Sequence, residues 1–312
     1  MGKSTRQKNS VLLPLLFFRV LNAVLTKTFF QADEFWQSLE PAHFKAFGYG
    51  KLTWEWDYGL RSYAFPFLFE CVYYISRLLS KAVEIIVRLH VDIFANFVVR
   101  VTPNSDFAWD MVDEMLKFPE ESSNFVEYYT TLYFPKILMG ILAAIGEFYF
   151  IKFVRKIYMA TTDKTKDEKA DSLKLTLQIA SVLTLSNFFN CFLITRTYIN
   201  SFEMILTSIS LYYWDWTGGE MIRTSEFSKS LAISMLACLQ RPTNAFIWIS
   251  LGGFMILNLI SSGKYAQIFY LFKKLMVVFL VVFAINAAID FYFYKEMVFP
   301  VFRFIKFNFT SS

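Results

Sequence analysis

Long apolar segments alternate with shorter polar segments along most of the chain. A helix that crosses a bilayer needs about 20 mostly apolar residues, and nine segments come close to that length. They predict an all-α, polytopic membrane protein with about nine transmembrane helices. The predicted spans are 11–30, 62–79, 82–101, 133–153, 172–195, 197–214, 229–245, 246–261 and 270–289. Segment 82–101 carries Glu84, Arg88, His90 and Asp92, so an alternative is a helix lying in the membrane interface.

The distribution of charges between the spans predicts the orientation. Short loops rich in Lys and Arg stay in the cytosol, and the N-terminal residues Lys3, Arg6 and Lys8 are of this kind. The connection after residue 153 is similarly basic, with Arg155, Lys156, Lys164, Lys166 and Lys169. Segments 31–61 and 102–132 are acidic by comparison. We therefore predict one membrane domain, 1–312, with a first luminal loop at 31–61 and a second at 102–132, both contributing luminal interfacial helices.

Composition narrows the class of protein further. Hydrophobic residues make up 55% of the chain and charged residues 18%, against about 25% charged in soluble domains. There is no stripe of Lys and Arg interleaved with aromatic residues, so the sequence predicts no nucleic-acid partner. Cys71, Cys191 and Cys238 are far apart in apolar segments, and the chain has two histidines. The sequence therefore predicts no disulfide framework, metal site or cofactor.

The segment after the first span carries the densest chemistry. Phe35, Leu39, Ala42 and Ala46 recur with the spacing of one helical face, as in a helix that lies on a membrane surface. Aromatic residues of this loop suit the headgroup level of a bilayer. They are Trp36, Trp54, Trp56 and Tyr58.

Asp33 stands at the start of this helical pattern, which allows two interpretations. It is either a helix cap, or a carboxylate at the mouth of a membrane cavity that acts as a general base. A sugar hydroxyl is a poor nucleophile until a base accepts its proton. One ionised carboxylate supplies that base without a metal.

The segment QADEFWQSLEPAHFKAFGYGKLTWEWDYGLRSYAFP (31–66) resembles the first luminal loop of glycosyltransferase family 22, and its fungal GPI-anchor enzymes most of all. The resemblance continues in TRTYINSFE (195–203), LQRPTNAFIW (239–248) and the segment from Asp290 onward. It implies a GT-C membrane fold in the endoplasmic reticulum, with the active site in the lumen. It also implies an inverting transfer of mannose from dolichyl-phosphate-mannose to a GPI-anchor precursor, as the third, α1,2-linked mannose.

The resemblance implies that Asp33 is the base and that Glu34 is its acidic partner. Other members carry proline where this chain has Ala32. From the residues themselves, Arg61 is either a contact for a lipid phosphate or a surface charge that snorkels to the membrane interface. Arg196 and Glu203 are seven residues apart, so they form either a structural pair on one helical face or substrate contacts. The remaining predicted substrate-binding residues are Gln37, His43, Glu55 and Arg241, and Asp290 is predicted to join the acidic rim.

Family members are longer than this chain, which therefore resembles the N-terminal part of such an enzyme. Two alternatives stay open in the same family: an enzyme of the lipid-linked N-glycan precursor, and one that adds the fourth GPI mannose. A non-catalytic membrane subunit is a third alternative and a transporter a fourth. A transporter predicts ionisable residues near the bilayer midplane and internal repeats, and the sequence has no visible repeat.

Overall fold

The computed structural model describes residues 11–103, 105–162 and 166–310, and every regular element in them is helical. The predicted cytosolic residues Lys3, Arg6, Lys8 and Lys164 lie outside the described residues. The α-helices in chain order are α1 (Leu12–Leu25), α2 (Glu40–Phe47), α3 (Trp54–Asp57), α4 (Ala64–Val101), α5 (Asp106–Met115), α6 (Phe118–Thr161), α7 (Lys166–Ser186), α8 (Phe188–Leu193), α9 (Ile199–Tyr213), α10 (Ser225–Gln240), α11 (Ala245–Ser261), α12 (Tyr265–Tyr294) and α13 (Pro300–Thr310). A π-helical segment, Phe35–Leu39, leads directly into α2.

The all-α, membrane-embedded class is confirmed, but the number of spans is not. Among the described residues, three helical stretches are long and apolar enough to cross a bilayer: Asp106–Thr161, Pro242–Ser261 and Tyr265–Tyr294. The division between the predicted spans 62–79 and 82–101 is wrong, because both lie in the single helix α4. Ser80 and Lys81 separate them, and neither is a helix breaker. A count of nine spans requires a turn between these two segments, and α4 is continuous there.

Helices α4 and α6 form a long antiparallel pair. The Ser76 hydroxyl contacts the Thr130 and Thr131 hydroxyls, and the Ser80 hydroxyl donates to Glu127 Oε2 at 3.3 Å. Segment 102–132, predicted as a luminal loop, is mostly helical, because it comprises α5 and the first turns of α6. Its luminal placement stays a prediction.

Helix α1 packs along the second half of α6, and a glycine permits the close approach. A Cβ atom at Gly140 would lie 2.9 Å from the backbone oxygen of Arg19 and from the Cα of Val20. The guanidinium of the same Arg19 is completely buried and forms a bidentate pair with Glu147 of α6. Arg19 also donates to the Thr184 carbonyl at 2.9 Å, so the pair connects α1, α6 and α7 inside the apolar bundle.

The main hydrophobic core supports the loop that follows α1. Ala42 and Ala46 of α2 are fully covered, and they share a core with Phe69 and Tyr73 of α4. Of the predicted apolar face, Ala42 and Ala46 are buried and Leu39 packs against this core, whereas Phe35 is 44% exposed. The second half of the face therefore packs against protein.

Candidate active site

Hydrogen bonds from side chains to backbone carbonyls hold the loop 31–61 in place. The Ser38 hydroxyl contacts the Glu34 and Thr197 carbonyls. The Trp56 indole donates to the Trp36 carbonyl at 2.9 Å, and Trp56 is 2% exposed. Trp56 is therefore a core residue, and its predicted place at the headgroup level is wrong. Its ring packs against Tyr63 and Phe293, which fixes the loop to the bundle.

The two acids at the start of the loop have different environments. Glu34 is buried, and its Oε1 accepts hydrogen bonds from the Phe30 N–H at 2.6 Å and from Arg196 Nη1 at 3.2 Å. Asp33 is half-buried, and its carboxylate makes no hydrogen bond to any other described residue. The Glu34 carboxylate therefore binds Arg196 and the backbone before the helix, and the Asp33 carboxylate is left available for a ligand.

Arg196 holds Glu34 and two backbone segments together. It is 3% exposed, and it donates to the Phe192 carbonyl at 2.7 Å and to the Thr28 carbonyl at 2.8 Å besides its contact with Glu34. The predicted Arg196–Glu203 pair is wrong. Helix α9 begins at Ile199, so Arg196 precedes it and the two side chains do not share a helical face.

Three predicted substrate-binding residues lie in contact with one another. Gln37 Nε2 donates to Glu55 Oε2 at 3.2 Å, and Arg61 Nη2 donates to Glu55 Oε1 at 2.8 Å. Gln37 follows Asp33 by four residues and lies in the π-helical segment Phe35–Leu39. Arg61 Nε is buried and has no partner among the described residues. The guanidinium therefore retains donor capacity for a ligand.

Glu203 and Arg241 form a second polar group. Arg241 Nη1 donates to Glu203 Oε2 at 3.2 Å, and the buried Asn244 donates to Glu203 Oε1 at 2.9 Å. Asn244 also accepts from Trp248 Nε1 at 2.6 Å. Pro242 ends α10 at this point, so the turn after it places Arg241 and Asn244 against the first turns of α9.

A third polar network includes Ser62 and Gln240, the chain neighbours of Arg61 and Arg241. Gln240 Nε2 donates to Asn286 Oδ1 at 2.9 Å and lies 3.4 Å from the Ser62 hydroxyl. The Asp290 carboxylate accepts from the Tyr63 N–H at 2.7 Å and from the Ser62 hydroxyl at 3.0 Å. The Asp290 carboxylate is thus buried beneath the loop, where it binds Ser62 and Tyr63. It is not part of an exposed acidic rim.

Sequence reasoning missed the polar residues inside the apolar spans. Asn286 and Gln240 are part of the network under the loop, and Arg19 pairs with Glu147 below it. The signal was present, because polar and ionisable residues within membrane segments mark structural or functional contacts. The Arg19–Glu147 pair is also the arrangement that the transporter alternative predicts, but both groups are buried and paired. A pair of this kind does not line an open pathway.

A cavity of about 530 Å³ lies between the loop, α4 and α6. Three predicted site residues line it: Glu34, His43 and Arg196. His43 stacks on Phe47 with ring centroids 4.5 Å apart, and its Nδ1 lies 3.3 Å from the Tyr49 carbonyl. Asp33 and the Gln37–Glu55–Arg61 row are not among the lining residues.

Lys45 ties α2 to the end of α12. Its Nζ lies 4.5 Å from the centroid of the Tyr292 ring and 3.3 Å from the Tyr292 carbonyl. Burial, and then the nearby charge of Lys295, lower the pKa of Lys45. Within the described ranges, no group of three or more His, Cys, Asp or Glu side chains is arranged to hold a metal ion.

The chain matches the model of the Alg9-like mannosyltransferase family over residues 10–312. It is 53% identical over 300 residues to the GPI mannosyltransferase 3 of Kluyveromyces lactis, covering 96% of this chain and 50% of the relative. The Saccharomyces cerevisiae protein of the same name is 50% identical over 300 residues, covering 95% and 49%. The mannosyltransferase APTG1 of Arabidopsis thaliana is 29% identical over 303 residues, covering 97% and 44%.

The chain spans about half the length of the curated relatives that it matches. No solved structure matches it. The family model covers nearly the whole chain, and the first relatives share half of its residues, so the resemblance seen in the loop is confirmed. The chain belongs to the Alg9-like mannosyltransferase family.

Proposed function

We propose that this chain carries the catalytic loop of an enzyme that transfers mannose from dolichyl-phosphate-mannose to a GPI-anchor precursor. The transferred sugar is the third mannose, α1,2-linked. The observation that supports this most is the difference between the two adjacent acids. Glu34 is bound to Arg196 and to the backbone, while Asp33 is half-buried with a free carboxylate.

The reaction is a single displacement in which Asp33 is the general base. The acceptor hydroxyl transfers its proton to the Asp33 carboxylate as its oxygen attacks C1 of the donor mannose. The bond between C1 and the phosphate oxygen breaks on the opposite face, and dolichyl phosphate leaves with the electron pair. The configuration at C1 is inverted, so a β-linked donor gives an α-linked product.

Arg61 is placed to hold the donor phosphate. Glu55 engages Nη2 of the guanidinium, and Nε has no partner in the described part of the chain. Guanidinium groups bind phosphate oxygens through paired N–H donors. The Gln37–Glu55–Arg61 row then orients the leaving group. Arg241, with its exposed guanidinium beside Glu203, is a second candidate contact for the lipid substrates.

We further propose that the loop faces the lumen of the endoplasmic reticulum. Lys136 of α6 donates to the Thr26 carbonyl at the end of α1, beside the loop. Lys156, 20 residues further along α6, donates to the Tyr212 and Trp214 carbonyls. Twenty residues of helix extend about 30 Å, which equals the thickness of the hydrocarbon core. The loop and the basic end of α6 therefore lie at opposite surfaces, as the excess of Lys and Arg on the cytosolic side requires.

The test is lipid analysis in yeast cells depleted of their own third GPI mannosyltransferase. The cells express either this chain or a chimera that joins it to the remaining C-terminal half of the Saccharomyces cerevisiae relative. Asp33→Asn is compared with Asp57→Asn, an exposed carboxylate of the same loop. Labelled mannose then reports which GPI intermediates accumulate.

We expect the chimera and its Asp57→Asn variant to convert the two-mannose intermediate to the three-mannose form, and Asp33→Asn to leave the two-mannose form. Conversion by Asp33→Asn at the normal rate contradicts the assignment of the base. A change in the four-mannose intermediate, or in the lipid-linked N-glycan precursor, would instead identify one of the sibling activities. No change in any mannolipid favours a non-catalytic subunit.

A further inference from the structure

The cavity between the loop, α4 and α6 has no role in the displacement described above. Its volume of about 530 Å³ is within the range of about 300–1,000 Å³ that is typical of sites for small molecules. Glu34, the chain neighbour of Asp33, lines it. A ligand held there would contact the first turn of the loop.

Unpartnered polar groups in the cavity wall show that it is built for a polar ligand. Thr195 is 3% exposed, and its hydroxyl has no hydrogen-bond partner among the described residues. A buried hydroxyl left unpaired is costly, so a site that contains one is completed by a ligand or by water. Pro135 adds a second such group. It lacks an N–H, and the Thr131 carbonyl therefore loses its usual donor within α6.

The charges of the lining are balanced. Three carboxylates face three cations, so the cavity has no excess of positive charge with which to hold a phosphate. The six residues are Glu34, Glu40, Glu127, Lys27, Lys136 and Arg196. Arg196 is already engaged by Glu34 and two carbonyls, and Lys136 by the Thr26 carbonyl. The cavity therefore suits a neutral ligand with many hydroxyl groups.

Aromatic rings form one wall of the cavity. His43 is stacked on Phe47 and lies edge-on to Tyr49, with ring centroids 4.9 Å apart in the second pair. Tyr73 of α4 completes this group, 5.9 Å from Phe47. An aromatic wall opposite a small number of polar groups is typical of a small-molecule site. It suits a sugar, which presents both C–H faces and hydroxyl edges.

We infer that this cavity is a glycan-binding subsite that holds the neutral mannosyl chain of the lipid-linked acceptor next to the catalytic loop. The inference rests on the proposed function for the identity of the glycan. The donor carries its single mannose on a phosphate and is assigned to Arg61, which does not line the cavity. The two lipid substrates thus contact different residues around the loop.

A binding measurement that requires no turnover tests the subsite directly. The 312-residue chain carrying Asp33→Asn is purified in detergent. It is titrated with α-linked mannobiose by saturation-transfer NMR and, separately, with inorganic phosphate by phosphorus NMR. Thr195→Val and Glu127→Gln are added in turn. Thr53→Val is the matched control, because the Thr53 hydroxyl is also buried and unpartnered but lies outside the cavity.

We expect mannobiose to bind, and Thr195→Val and Glu127→Gln each to weaken it about fivefold, the effect of one lost hydrogen bond. Thr53→Val is expected to have no effect. In the active chimera the same two variants are expected to raise the KM for the acceptor and not that for the donor. Absence of mannobiose binding, or equal effects of Thr195→Val and Thr53→Val, overturns the subsite, as does phosphate binding that depends on Thr195. Mannobiose binding without any turnover in the chimera would leave the subsite standing and refute the proposed transfer.

Discussion

Glu34→Gln tests whether Glu34 stabilises the loop while its neighbour Asp33 takes part in the chemistry. The substitution preserves the shape of the side chain and removes its charge, so the Arg196 guanidinium is left buried without its counter-ion. The exposed fractions of the two side chains are 7% for Glu34 and 2% for Arg196, so solvent does not compensate the loss. The Phe30 N–H can still donate to the glutamine oxygen.

Removing one partner of a buried ion pair costs about 3–5 kcal/mol. Arg196 would keep the Phe192 and Thr28 carbonyls as acceptors, which places the expected loss at the lower end, about 3 kcal/mol. At about 2–4 °C per kcal/mol, this lowers the melting temperature by about 6–12 °C. Asp33→Asn changes a half-buried group without hydrogen bonds, so its effect is expected within about 0.5 kcal/mol.

The assay is thermal unfolding of the purified chain in detergent, followed by size-exclusion fluorescence, for both single variants and for the double variant Glu34→Gln/Arg196→Met. The double variant removes the stranded charge and is expected to melt above Glu34→Gln. Glu34→Gln melting with the unaltered chain while Asp33→Asn melts lower would refute the reasoning. It would show that the two acids have the opposite roles.

Three further predictions concern the bundle beneath the loop. Gly140→Ala is expected to lower the melting temperature, because its Cβ would contact the α1 backbone. Gly252→Ala is the control, since it has open space and gains about 1 kcal/mol of helix propensity. Equal effects of the two variants on the melting temperature would contradict the close packing of α1 on α6. Arg19→Met is expected to cost about 3–5 kcal/mol by leaving Glu147 buried and unpaired, and replacing Glu147 by leucine in addition should restore most of it in the same melt. Asn244→Ala removes three side-chain hydrogen bonds and is expected to cost about 1–3 kcal/mol; a variant that melts normally would show that the turn after α10 is held by other contacts.

The sequence predicted the helical class, the membrane setting and the position of the loop, because long apolar runs and a dense local motif are properties of the chain alone. Two predicted spans, 197–214 and 246–261, agree with α9 and α11 within two residues. Span 133–153 lies inside the longer α6, and span 172–195 is divided between α7 and α8. The failure at 62–101 has a physical cause. Hydropathy reports that a segment tolerates lipid, but the continuity of a helix depends on the residues at its middle, and here no breaker interrupts α4.

The contacts among the candidate site residues were not predictable from the sequence. Arg196 and Glu203 were expected to face each other because seven residues make two helical turns, yet the helix starts after Arg196. Arg196 instead reaches Glu34, 162 residues earlier, and Glu203 reaches Arg241. Such pairings depend on the packing of separate helices, which local spacing does not encode. Trp56 became a core residue for the same reason.

The most direct measurement of the central claim is the steady-state rate of purified chimera with a two-mannose GPI precursor and dolichyl-phosphate-mannose. A general base contributes about 10²–10⁴-fold to a rate, so Asp33→Asn is expected to lower kcat by that factor and leave the KM values of both substrates near those of the unaltered chimera. Asp57→Asn is expected to react at the unaltered rate. A kcat for Asp33→Asn within a factor of a few of the Asp57→Asn control would contradict the account, because the free carboxylate of the loop would then have no part in the chemistry.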